Sequence, residues 1–207
     1  MLRNHPKLAA ILFGVAAQSL LAADPNMTPQ ERSQIIQLMK DSEKEFLQAV
    51  RDLTDEQWRW KPAPERWSVG EVAEHIVLSE GALFAKVQEA LGNPPNADWE
   101  KKTEGKTEFL LRVMAPRLGK AQAPEEIQPQ GKLTRAEIMT RFEEGRLRSL
   151  RFAEETKATL KDHTAEHPFP IFNTLNAYQW LLYIPLHNQR HDKQIEEVKA
   201  TAGFPAK

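Results

Sequence analysis

The sequence predicts an all-α protein, an antiparallel four-helix bundle with one long crossover between its second and third helices. Three observations carry that expectation. Three N-terminal capping signatures each precede apolar residues at helical spacing. No segment alternates with a period of two for long enough to propose a sheet. A proline-rich stretch of about forty residues, Gly92 to Lys132, separates the middle two helices, a length that suits a crossover or a functional flap.

Residues 1–23 are set aside from the fold. Arg3 and Lys7 form a positive start, Leu8 to Leu21 an apolar run, and Ala22 and Ala23 a small-residue end. The run is too short to span a bilayer comfortably and has no charged stop-transfer flank before Asp24. It reads as a secretory signal peptide cleaved after Ala22 or Ala23, which predicts a periplasmic or secreted protein with no stable membrane insertion after cleavage. Residues 24–207 then form one domain, and 41% hydrophobic with 28% charged residues is enough for one ordinary core. Loss of Arg3 and Lys7 leaves 26 basic against 29 acidic residues, a net charge of about −3. With no basic block, nothing recommends a nucleic-acid partner. The chain has no cysteine, which excludes a Cys₄ zinc site, a disulfide framework and a thiol nucleophile.

Thr28-Pro29-Gln30-Glu31 combines an N-cap, a proline at the first helical position and a glutamate that reaches back. The helix it opens carries Ile35, Leu38, Met39, Phe46, Val50 and Leu53 on its apolar side. A compact turn with Trp58, Trp60, Pro62 and Pro64 follows. Ser68 and Glu71 form the second capping box, for a helix to about Leu91. The crossover has a short amphipathic piece at Phe109–Val113. Thr134 and Glu137 open a third helix through Ile138, Phe142, Ser149 and Phe152 to about Leu160. A fourth runs from about Asn173 to Ala200, with Pro185 inside it, where one backbone hydrogen bond is lost.

That last helix holds the most informative pair, His187 and His191. Four residues are about 400° of rotation, so both side chains leave one face a turn apart. The same face continues through Trp180, Ile184, Ile195 and Val198. Imidazoles stand where a bundle core would place leucines, and burying them costs free energy unless their nitrogens find partners. A divalent metal is one such partner and hydrogen-bonded core histidines are the other reading. A third imidazole comes from the second helix, where His75 stands with Val72 and Ala82 on or beside the inward stripe.

The runs WSVGEVAEHI and HPFPIFNTLNAYQWLLYIPLHNQRHDKQI, joined by a proline-rich crossover, resemble the DinB/YfiT-like metalloenzymes, over essentially all of 24–207. The resemblance implies a four-helix bundle and makes His75, His187 and His191 ligands of one divalent metal, Zn, Ni or Fe. It implies a metal-dependent hydrolase or transferase with a small-molecule substrate. Some relatives use low-molecular-weight thiols, which an exported member would meet rarely, so hydrolysis is the chemistry expected. A metal-stabilised binding or structural bundle without catalysis is the alternative, and homodimerisation is left open. His163 and His167 are also four apart, but Pro168 and Pro170 argue against a shared helical face. Gln194, one turn beyond His191, is placed to bond a ligand or another helix. Glu74 is expected to make an exposed ion pair, and Glu80 has no spacing that marks it as a base.

Overall fold

Capping chemistry starts every long helix. The computed structural model describes residues 23–117 and 122–207, so the signal-peptide reading lies outside the described residues apart from Ala23. α1 (Pro29–Val50), α3 (Val69–Gly92) and α6 (Arg135–Glu155) begin at the boxes of Thr28, Ser68 and Thr134. Two further boxes, Thr54 with Gln57 and Asn176 with Gln179, open the short α2 (Asp55–Arg59) and the long α7 (Ala177–Lys199). α7 runs on through Pro185.

Three helix ends differ from expectation. α1 stops at Val50, so Leu53 is not part of its stripe; the chain turns at Asp52, whose φ of 57° is a left-handed conformation that Asp tolerates. α6 ends at Glu155, not near Leu160. The Arg32 guanidinium donates to the carbonyls of Ala153, Glu154 and Thr156, satisfying acceptors that another turn of helix would have used. Leu160 is still fully buried, but from a loop. α7 begins at Ala177, because the residues before it pair as a strand. β1 (Thr164–Glu166) and β2 (Thr174–Asn176) are antiparallel, with Ala165 opposite Leu175. Three residues each is too few to show a period of two.

The four long helices pack in the cyclic order α1, α6, α3, α7. Arg135 at the start of α6 donates to Val50 and Leu53, while Arg32 near the start of α1 meets the end of α6. These two helices are therefore antiparallel. So are α3 and α7, since His75 meets His191 and Lys86 lies over Trp180. By contrast α3 and α6 run parallel, with Glu80 against Arg146 and Phe84 against Phe152. The crossover must then return the chain along α3, about 36 Å for 24 residues at ~1.5 Å each. Its length is thus a consequence of the topology.

The crossover contains α4 (Trp99–Thr103), α5 (Lys106–Val113) and a 3₁₀ turn at Glu125–Ile127. α5 is the amphipathic piece expected at Phe109–Val113, and it buries Leu110. Polar ties fasten the crossover: Gln179 donates to the Thr103 carbonyl, Lys106 to those of Phe172 and Thr174, and Lys193 to that of Ala115. Glu74, expected at the surface, is 3% exposed and accepts the Gly131 N–H at 2.9 Å. The incoming crossover covers it, which no spacing on α3 could indicate. Two apolar clusters fill the bundle, one around Met39, Leu181 and Trp180 and one around Phe46, Val72 and Ile195. No described helix is long and apolar enough to cross a membrane.

Candidate metal centre

α3 and α7 bring His75, His187 and His191 to one point, with one ring nitrogen from each lying within 4.8 Å of the other two. Ring centroids are 4.4 Å apart for His75 and His191, 4.4 Å for His187 and His191, and 5.1 Å for His75 and His187. His75 is 2% exposed and His191 7%, while His187 is half-buried.

The hydrogen bonds around them decide the tautomers. His75 Nδ1 lies 2.7 Å from the carbonyl oxygen of Ile127, and His191 Nδ1 lies 2.8 Å from Gln194 Oε1. A carbonyl oxygen can only accept, so each Nδ1 carries the proton. The amide orientation of Gln194 is itself fixed, because Arg117 Nη1 donates to the same oxygen at 2.7 Å and a guanidinium has no acceptor. Each Nε2 is left with an unshared pair, and the two stand 3.2 Å apart. Two lone pairs at that distance repel unless a cation lies between them. Tetrahedral zinc with ~2.0–2.1 Å bonds to nitrogen would set its ligands ~3.3–3.4 Å apart. The donor set therefore fits a divalent ion.

Electrostatics favours the same state. Burial holds the His75 imidazole down at about 4, against a tendency of the Ile127 contact to raise it. Burial is also the main cause for His187 and His191, which are held well below the ordinary range and lowered further by neighbouring imidazoles. All three are neutral near pH 7, as metal ligands must be.

One side of the cluster opens on a cavity of about 1330 Å³ between α3, α7, the crossover and the loop that joins β1 to β2. Its wall leads from His187 to Tyr183, whose ring is 6.0 Å away, and on to Trp180 and His167. His167 stacks on Trp180 at 4.9 Å and 9°, and burial lowers its basicity to about 4. Burial pushes the Tyr183 phenol upward, so it keeps its proton. His163 is elsewhere, its Nδ1 donating to the Asn93 carbonyl at 2.7 Å. The four-residue spacing of His163 and His167 carries no shared site, as the prolines after them indicated. Ala82 lines the cavity from an exposed position instead of the core.

Several residues escaped the sequence reading. Ser79 is buried four residues after His75, with its hydroxyl 3.4 Å from the imidazole. Helical spacing could have found it. The Trp67 ring packs 4.9 Å from His75, just ahead of the Ser68 cap. Ile127 and Arg117 left no signal, since they arrive from the crossover. Glu80, by contrast, is occupied by Arg146 away from the cavity.

Comparison with known proteins agrees with this architecture. Residues 38–195 match the profile of the DinB superfamily, and the chain belongs to that superfamily. It is 28% identical over 152 residues to the uncharacterised protein YuaE of Bacillus subtilis (strain 168), covering 72% of this chain and 88% of that one. Among solved structures it is similar to YfiT of Bacillus subtilis, with a TM-score of 0.53 at 15% identity, over 87% of this chain and 92% of the other. YfiT is described as a probable metal-dependent hydrolase with an unusual four-helix bundle topology. At that identity the likeness speaks for the fold, which is the four-helix bundle with its long crossover.

Proposed function

We propose that this protein is an exported metal-dependent hydrolase of a small molecule, with one divalent ion, Zn, Ni or Fe, held by His75, His187 and His191. The observation that supports it most is the pair of opposed Nε2 lone pairs, each fixed by a carbonyl behind its own ring. YfiT's description as a probable metal-dependent hydrolase points the same way. The absence of any cysteine in the sequence leaves the chain without a thiol nucleophile. A bound ion of this kind supplies Lewis acidity and brings the pKa of water towards ~7.

The chain's own groups do the rest. Ile127 and Gln194 hold two imidazoles in the ligating tautomer. The aromatic wall of Tyr183, Trp180 and His167 shapes one side of the cavity beside the cluster, where a substrate's apolar part would lie. Elemental analysis should find about one divalent ion per chain. A screen of carboxylic and phosphoric esters and amides should show turnover that is lost on metal removal and restored on reconstitution. Protein that takes up no metal overturns the metal centre, and a loaded protein inert to the whole screen favours a binding role. Export is tested by N-terminal sequencing, which should read from Ala23 or Asp24; retention of Met1 in the membrane fraction would replace secretion with anchoring.

A further inference from the structure

We propose that Gln194 and Arg117 are positioning residues that lock His191 in its Nδ1–H tautomer and so tie metal affinity to the crossover. The proposal rests on the metal-centre reading above. Gln194 Oε1 receives two N–H groups, from Arg117 Nη1 at 2.7 Å and from His191 Nδ1 at 2.8 Å. The guanidinium leaves the amide only one orientation, and that orientation leaves His191 only one tautomer.

Arg117 is itself held for the task. Its Nε donates to Glu197 at 3.0 Å, three residues beyond Gln194 on α7, and its side chain is 15% exposed. Its backbone sits at φ 56°, a left-handed conformation uncommon for a residue with a side chain. Such strain persists only where its surroundings enforce it. Here a turn closed by the Arg117 N–H on the Met114 carbonyl accompanies it, and the guanidinium passes from the crossover onto Gln194 and Glu197 of α7.

The alternative tautomer shows why this matters. With its proton on Nε2, His191 would donate to His75 Nε2, 3.2 Å away, and the two rings would satisfy each other. That internal bond would compete with any ion. The crossover also supplies the Ile127 carbonyl that orients His75. Both opposed imidazoles thus take their tautomer from contacts that lead to one connection.

The test uses the full chain and zinc alone, with affinity from chelator competition, melting of the metal-free protein, and ¹⁵N NMR of the imidazoles without metal. Gln194→Ala should weaken zinc about 10–100-fold, the usual range for groups that orient a ligand, while metal-free melting stays unchanged. His191 should shift towards a mixture of tautomers in the same variant. Gln194→Glu, which still accepts from Nδ1, should keep zinc affinity and the Nδ1–H form. Arg117→Ala should have a smaller effect in the same direction. Unchanged zinc affinity in Gln194→Ala overturns the proposal, and so does weakened binding with His191 still in the Nδ1–H form. If the wild type takes up no zinc, the metal centre falls, and the metal-free NMR spectra separately decide whether Gln194 sets the tautomer.

Discussion

Two buried polar clusters lie side by side on α7, and they differ in one respect. Asn188 and Asp192 each follow a histidine of the centre by one residue, about 100° around the helix, and face a layer built on Arg146. Arg146 is fully buried and gives its protons to both carboxylate oxygens of Glu80, to Ser42 Oγ, to the Met39 carbonyl and to Asn188 Oδ1. Ser149 adds a further bond to Glu80, and the Asn188 amide donates to Asp192. Every donor of Arg146 and the Asn188 amide meets an acceptor here, so this layer is held together within the protein. The histidine cluster brings acceptor to acceptor, with its donors turned outward to Ile127 and Gln194. A saturated layer fixes how helices pack, whereas opposed acceptors of this kind suit a bound cation.

The largest expected effect separates the two clusters. His187→Ala and His191→Ala each remove one of the three proposed ligands and should nearly abolish metal uptake, as measured by elemental analysis. Arg146→Met should do the reverse, keeping one ion per chain while lowering stability by about 3–5 kcal/mol, because Glu80 is left buried without its partner. Denaturant titration checks this, and adding Glu80→Leu should recover much of the loss. A variant of Arg146 that lost its metal while still folded would show that the layers are not separable.

Acid should distinguish them next. In metal-free protein the three imidazoles accept protons less readily folded than unfolded. Their stabilisation is therefore present above the unfolded value of 6.5 and is lost as pH falls towards the folded value of His75, about 4. Metal-loaded protein should fall more steeply, since protonation must also release the ion. Asp192 has the opposite sign. Burial, followed by the nearby Glu45, raises its carboxyl from 3.8 to about 8, so its contribution is lost as pH rises through that interval. Stability of the metal-free protein against pH should then show a maximum between the two limbs. Asp192→Asn should flatten the alkaline limb and steepen the acid one, because the Asp192 interval from 3.8 to about 8 overlaps that of His75; a variant with both limbs unchanged would remove Asp192 from the account.

The smallest expected effect is the control. His163→Ala breaks a contact with the Asn93 carbonyl, far in connectivity from either cluster. Metal content should not change, and the melting temperature should move by only a few degrees.

How much was legible beforehand depended on sequence distance. The boxes at Thr28, Ser68 and Thr134 lie three residues from their partners, and each opened the helix expected of it. Those at Thr54 and Asn176 carried the same local signal and went unread. The apolar stripe of α7 showed that His187 and His191 share a face, the stripe of the second helix offered His75, and the family resemblance joined the three as one ligand set. Helix ends were harder, because Arg32 reaches the end of α6 from 121 residues away. Glu74 was misread for a similar reason, since the crossover that covers it approaches from 57 residues further on.

The sequence by itself determined an all-α chain, the approximate course of its long helices and which imidazoles face inward. Those properties follow from periodicity and from hydrogen bonds that close within a turn. Only the tertiary structure decided that α3 and α6 run parallel, that His75 Nε2 meets His191 Nε2, and that Arg117 and Ile127 orient these rings from the crossover. Such facts depend on groups brought together by packing from distant parts of the chain, and a local pattern carries no record of them.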